Sequence, residues 1–194
     1  MLKMNHDLIE VMDKMFDSND TTVGGGCASA LSGAMAAGMI GMVAKLSKKK
    51  PVNFTVEQYD AIAAECDELV EKLKEGCVND NKAYCMIVDA YKLPKETDED
   101  KAARRAAIEA ASTKAAEVPR DNAVMNARVY ELGTMLKGNS NPACMSDLTS
   151  ALYLSESGVK DCVLNIQANL GSIKNEETRA ALKEDMLNLL LQIL

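Results

Sequence analysis

The sequence predicts an all-α protein, a single multi-helix bundle with long central helices in one domain covering residues 1–194. Three observations carry this. Apolar residues recur at three- and four-residue steps over long stretches, the spacing that lines one face of a helix. No segment alternates apolar and polar residues for long enough to make a strand, and no internal repeat or low-complexity linker divides the chain. Two Phe, five Tyr and no Trp leave Ala, Leu, Met and Val to fill the core, which suits closely packed helices. A chain of 194 residues can bury roughly 70% of the surface its unfolded form exposes, so it needs no disulfide or metal to fold.

The first helix is expected over Leu2–Phe16, with Leu8, Val11, Met12 and Met15 on one face, and it stops in the turn-forming run Asp17-Ser18-Asn19-Asp20. Gly24-Gly25-Gly26 then permits close approaches that side chains would forbid. The second helix runs from about Cys27 to Lys49. Along it Ala30, Ala34 and Gly38 form one small-residue strip, and Gly33, Ala37 and Gly41 form another. Each interior glycine costs roughly 1 kcal/mol against alanine, so tight packing must compensate. This helix belongs at the centre of the fold or of an oligomer interface. The stretch Gly24–Ala44 carries no formal charge, but its six Gly and two Ser make it too weakly apolar for a membrane span.

Pro51 ends the second helix, and Thr55-Val56-Glu57-Gln58 has the form of a capping box for the third. Its apolar stripe passes Tyr59, Ile62, Cys66, Leu69, Leu73, Cys77, Tyr84, Ile87 and Tyr91, a helix of about 50 Å at 1.5 Å per residue. Asp80 falls on that stripe. Either buried donors satisfy it, or the stripe drifts outward near Gly76, or it is an acid or base whose pKa is tuned by burial. After the charged connection Pro94–Asp100, Thr97 caps an Ala-rich helix reaching about Val118. Pro119 opens or kinks the next stretch, which carries Ala123, Ala127, Tyr130 and Leu136 and stops at Gly138-Asn139. Ser146-Asp147 supplies an N-cap and first-turn acid to the last long helix, which bears Leu148, Ala151, Ser155, Gly158, Val159, Cys162 and Ile166 on one side. Asn165 and Asn169, one turn apart, are either structural hydrogen-bond partners or ligand contacts. A final amphipathic helix begins near Asn175 and runs through Met186, Leu187, Leu190 and Leu194.

The net charge of −7 argues against a nucleic-acid partner, because phosphate binding needs a basic face. The six cysteines show no C-x-x-C pair and His6 is the only histidine, so no metal is expected. Without a signal peptide the cysteines read as reduced thiols of a cytoplasmic protein. Lys45, Lys48, Lys49 and Lys50 form the one local basic cluster, either a solvated helix end or an anion contact.

Four separated stretches, in order, resemble the formiminotetrahydrofolate cyclodeaminase and methenyltetrahydrofolate cyclohydrolase family. They are Gly24-Gly25-Gly26-Cys27-Ala28-Ser29 with Met42-Val43-Ala44-Lys45-Leu46 and the lysines; Asp80-Asn81-Lys82-Ala83-Tyr84; Tyr91-Lys92-Leu93-Pro94-Lys95 through Ala115-Ala116-Glu117-Val118-Pro119; and Asn141-Pro142-Ala143-Cys144-Met145-Ser146-Asp147 with Asn165-Ile166-Gln167-Ala168-Asn169-Leu170. The pattern departs from the family's at Val23, Cys27, Pro51, Ala143 and Asn175, which bears on substrate choice more than on fold.

The resemblance implies a homodimer with a folate cleft near the subunit contact; no cofactor beyond the tetrahydrofolate substrate is assigned, and charge and composition leave no nucleic acid or membrane partner. It implies either cyclodeamination of 5-formiminotetrahydrofolate to 5,10-methenyltetrahydrofolate with ammonia, or hydrolysis of the methenyl form to 10-formyltetrahydrofolate. Both pass through a tetrahedral carbon and need a proton acceptor and a proton donor. Asp80 and Asp147 are the acid–base candidates and Lys45 a proton donor or electrostatic anchor. Gly24, Gly25, Gly26, Cys27, Lys48, Lys49, Tyr84, Asn141, Asn165 and Asn169 are the substrate-binding candidates, the lysines toward the carboxylates of a polyglutamylated folate. A noncatalytic folate-binding relative is the alternative class.

Overall fold

The computed structural model describes residues 6–194; the part of the first helix expected over Leu2–Asn5 lies outside the described residues. The helices are α1 (His6–Phe16), α2 (Gly25–Ser47), α3 (Val56–Lys92), α4 (Asp98–Met135), α5 (Met145–Asn169) and α6 (Glu176–Leu191), with single 3₁₀ turns at Pro142–Cys144 and Leu170–Ser172. No strand occurs among the described residues. The sequence begins α3 and α4 with reciprocal caps: Thr55 with Gln58, and Thr97 with Asp100.

Helices α2 to α5 form a ring in which each runs antiparallel to its neighbours. Gly26 meets Asp80 and Gly41 meets Cys66; Gly76 meets Asn122, Gly133 meets Leu152, and Gly25 meets Asn165. Across the ring α2 also reaches α4, because Gly33 admits the Asn126 side chain. A Cβ on Gly33 or Gly158 would fall 2.3 or 2.1 Å from Asn126 Oδ1, so a fully buried amide wedges between three helices while its Nδ2 donates to the Ser29 carbonyl at 3.3 Å. Helix α1 covers Cys27, Ala30, Cys77 and Val78 with Leu8 and Val11. Helix α6 closes the opposite side with Leu182 and Leu189.

The two small-residue strips of α2 separate in the structure. Gly33, Ala37 and Gly41 are buried inside the bundle, as are Ala30 and Ala34, but Gly38 is exposed with only Val70 within 4.0 Å. Helix α2 is long and apolar enough to cross a bilayer, yet 61% of its apolar window is buried by its neighbours.

Three boundaries differ from the sequence expectation. No new helix opens at Pro119, since α4 runs through it. Proline lacks the N–H that would bond the Ala115 carbonyl one turn back, and Asn169 Nδ2 donates to that carbonyl instead at 3.1 Å. Ser146 lies inside α5 rather than capping it; the helix starts at Met145, and Asn141 caps the preceding 3₁₀ turn by accepting the Ala143 N–H at 3.0 Å. Helix α6 ends at Leu191, and Leu187 and Leu194 are 60% and 98% exposed, whereas Leu189 and Ile193 take the buried side.

Candidate functional site

The start of α2 is built without side chains. Its N-cap is Gly24, which offers no side-chain hydrogen bond, so no cap covers the N–H groups of the first turn at the positive end of the helix dipole, and the Cys27 N–H is free to meet a group from another helix. Into that opening α3 inserts Asp80. A Cβ on Gly26 would lie 2.2 Å from Asp80 Oδ1, so only glycine admits the carboxylate there. On the other flank a Cβ on Gly25 would sit 3.2 Å from Asn165 Nδ2 of α5. The glycines therefore do two things at once. They let α3 and α5 close on the helix start, and they leave backbone donors uncovered.

Asp80 is half-buried and has no cationic partner among the described residues. The Cys27 thiol lies 3.4 Å from Asp80 Oδ2 and 3.3 Å from the Cys77 carbonyl, and its one proton serves both. Burial pushes the Asp80 carboxyl above its usual range, while the Cys27 thiol and backbone N–H, both donating to it, act in the opposite direction. The Cys27 thiol is itself driven strongly upward by its contact with Cys77, by burial and by the Asp80 charge, so it remains a thiol. Beneath it Cys162, pushed up to about 12 by burial, lies 3.1 Å from Ser29 Oγ, which donates to the Gly26 carbonyl at 2.8 Å. The result is a carboxyl group whose pKa is raised by burial, held by the Cys27 thiol and N–H at the start of α2. That pairing suits proton transfer next to developing charge.

Asn81, one residue on, is buried and donates to the Thr22 carbonyl at 2.9 Å, which fixes the loop entering α2. Its spacing within the Asp80–Tyr84 segment gives no sign of this contact, which joins residues 59 positions apart. Tyr84, 40% exposed, follows one turn beyond Asp80 on α3. Asn165 donates to the Asp161 carbonyl at 2.8 Å, and Asn169 to Ala115 and Asn165 carbonyls at 3.1 and 2.9 Å. Both amides spend their N–H groups on backbone and keep Oδ1 available.

The remaining predicted residues gather elsewhere. Lys45 lies eighteen residues after Cys27 on α2, about 27 Å away at 1.5 Å per residue. There Lys45 pairs with Asp67 at 2.7 Å, Lys48 pairs with Asp60, and Lys49 is exposed. Asn141 joins this end by donating its N–H to Ser47 Oγ at 2.8 Å, and Asp147 sits half-buried in the first turn of α5. Within one chain, then, the candidates form two groups at opposite ends of α2. Gly24, Gly25, Gly26, Cys27, Asp80, Tyr84, Asn165 and Asn169 are at one, and Lys45, Lys48, Lys49, Asn141 and Asp147 at the other. No cluster of three or more metal-type ligands occurs among the described residues.

Fold and site together define an all-helical protein that sets one half-buried carboxylate against a glycine-built helix start. The model of the formiminotransferase-cyclodeaminase family matches residues 8–188, and the chain belongs to that family. It is 32% identical to a methenyltetrahydrofolate cyclohydrolase of Methylorubrum extorquens over 84% of this chain and 79% of that one. It is also 29% identical to a formimidoyltransferase-cyclodeaminase of Gallus gallus over 86% of this chain, which corresponds to only 31% of that longer protein. The crystal structure of a formiminotetrahydrofolate cyclodeaminase from Thermotoga maritima shares the fold, with a TM-score of 0.82 at 24% identity over 94% of this chain and 87% of that one.

Proposed function

We propose that this chain converts 5-formiminotetrahydrofolate to 5,10-methenyltetrahydrofolate and ammonia. The observation that carries the reading is Asp80, a half-buried carboxyl with raised pKa at the open start of α2 in a chain of this family. N10 attacks the formimino carbon and its proton passes to the formimino nitrogen, giving a tetrahedral carbon. A second proton, taken up from solvent, lets that nitrogen leave as ammonia as its C–N bond breaks, and the closed ring becomes the methenyl cation with the charge shared by N5 and N10. Asp80, itself held by the Cys27 N–H, carries these protons between the nitrogens, and the N–H groups of Gly25 and Gly26 steady the change in charge. A second reading is favoured by the Methylorubrum relative, whose match covers most of both chains. In it water adds to the methenyl carbon and gives up its two protons through Asp80, one to N5 as the C–N5 bond breaks and one to solvent, and the ring opens to 10-formyltetrahydrofolate. Incubation with each folate separates the readings. Formimino consumption with ammonia release and rising methenyl absorbance supports the first; methenyl loss without ammonia supports the second; neither would sink both.

The active form in this reading is a homodimer. Along the outward face of α2, Leu31, Met35, Gly38 and Met42 follow at helical spacing, with Met35 56% and Met42 40% exposed. Beside them a groove of about 940 Å³ runs past Ala34, Gly38 and Val70. Antiparallel pairing of two such helices about a two-fold axis near Ala36 would lay the C-terminal end of each α2 beside the N-terminal end of the other. That joins the two separated residue groups into one site. Gly38→Leu, which has room in the monomer, should block the pairing; a Gly38→Leu protein that sediments as a dimer would refute this arrangement.

A further inference from the structure

The titratable groups around Asp80 are thiols: Cys27 from α2, Cys77 one turn back on α3, and Cys162 from α5, all buried. Burial pushes Cys162 up to about 12, and the Cys77 contact, burial and the Asp80 charge drive Cys27 strongly upward, so neither ionises where a carboxyl titrates. Helix α1 covers this corner with Leu8 and Val11, and its Asp7 lies 4.0 Å from Lys82 between exposed side chains. Helix α4 approaches α3 at Gly76 with the neutral Asn122. Among the described residues, the Cys27 thiol is the one side chain that donates to Asp80. It is a weak donor at long range. Its sulfur lies 3.4 Å from Asp80 Oδ2 and 3.3 Å from the Cys77 carbonyl, and a single proton is divided between the two. A hydroxyl would donate to a carboxylate at about 2.5–2.7 Å, and would favour it over the neutral carbonyl because a charged acceptor roughly doubles the bond's strength.

We infer that Cys27 is a positioning residue: its thiol holds Asp80 at the start of α2 while giving the charged carboxylate little support, and so sets the pH range over which Asp80 exchanges its proton. The effect on turnover rests on the folate reading above; the effect on Asp80 itself does not. Two substitutions move the contact in opposite directions. Cys27→Ser strengthens the donor and stabilises the carboxylate, whereas Cys27→Ala removes the donor and leaves the backbone N–H alone. The measurements are a carboxyl ¹³C NMR titration of aspartate-labelled protein, with Asp80 assigned by the signal missing from Asp80→Asn, and kcat/KM against pH. The Asp80 midpoint should fall by about one pH unit in Cys27→Ser and rise in Cys27→Ala, and the low-pH limb of kcat/KM should follow in the same order, since Asp80 must be unprotonated to accept the first proton. A thiol that only fills space would change the melting temperature of both variants and leave the Asp80 midpoint in place, a result that would overturn the inference. Either variant alone gives a sign, so misfolding of one leaves the other to decide. Midpoints that move as expected beside a fixed kinetic limb, or beside no turnover of any tetrahydrofolate, would uphold the hold of Cys27 on Asp80 and overturn the folate role given to that carboxyl.

Discussion

At the start of α2, Asp80 faces the Cys27 N–H and thiol with no cationic partner among the described residues. At the other end of the same helix Lys45 and Lys48 meet Asp67 and Asp60 on open surface, with every one of those side chains 38% or more exposed. The first environment makes the charged state of one group expensive and therefore adjustable. In the second, solvent screens both partners and each pair contributes little. The two ends of α2 thus differ in kind, because burial shifts a lone carboxyl whereas exposure leaves a row of paired lysines screened.

The sharpest way to break this contrast is Asp80→Asn. Turnover should fall about 10²- to 10⁴-fold while circular dichroism stays that of the wild type; a folded variant with near-normal turnover would demote Asp80 to a structural carboxyl. Stability gives an independent sign. Burial raises the native Asp80 pKa above its unfolded value, so the native state holds the proton longer. Wild-type stability from this group is fully present below the usual carboxylate value of 3.8 and is lost as pH rises through the native value. Asn has no such loss, so the melting temperature of Asp80→Asn relative to wild type should climb as pH rises across that window. A difference that stays flat with pH would mean that the carboxyl is not held as described.

Mixing variants sharpens the same comparison across two subunits. If the two ends of α2 meet only in a dimer, Asp80→Asn and Lys45→Gln proteins, each weak alone, should regain about a quarter of wild-type turnover after unfolding and refolding together. Half the dimers are then mixed and each carries one intact site. Recovery no greater than the sum of the parents would place both residues in one subunit's site, or Lys45 in none.

Smaller effects are expected from groups that serve the backbone. Asn169→Ala strands the Ala115 carbonyl beside Pro119 and should destabilise the protein by about 1–3 kcal/mol in urea unfolding. Losing less than half a kilocalorie would show that solvent already reaches that carbonyl. Lys48→Gln sits at the bottom of the scale, at less than about 1 kcal/mol, because its pair with Asp60 is exposed.

Much of the fold was legible because its determinants are local. The caps at Thr55 and Thr97, the end of α2 ahead of Pro51 and the long stripe of α3 each depend on residues within a turn or two of one another. Of the two readings of Pro119, opening a helix or kinking one, the first is excluded only by the tertiary structure, since the amide that satisfies the freed carbonyl stands 54 residues away on α5. Asp80 was legible as a break in an apolar stripe, but its neighbours were not. Nothing in the spacing says that Gly26 makes room for it or that Asn81 pins the entering loop.

Sequence alone therefore determined helix identity, most boundaries and the residue types that could carry chemistry, because hydrophobic period and capping act over a few residues. Only the tertiary structure decided which of those residues meet. The antiparallel ring put Gly25, Gly26, Cys27, Asp80 and Asn165 at one end of α2 and carried Lys45, Lys48, Lys49, Asn141 and Asp147 to the other. That sorting depends on which faces of rigid helices lie level with one another, and the close approaches that set the level, glycine against carboxylate and glycine against amide, join residues tens of positions apart.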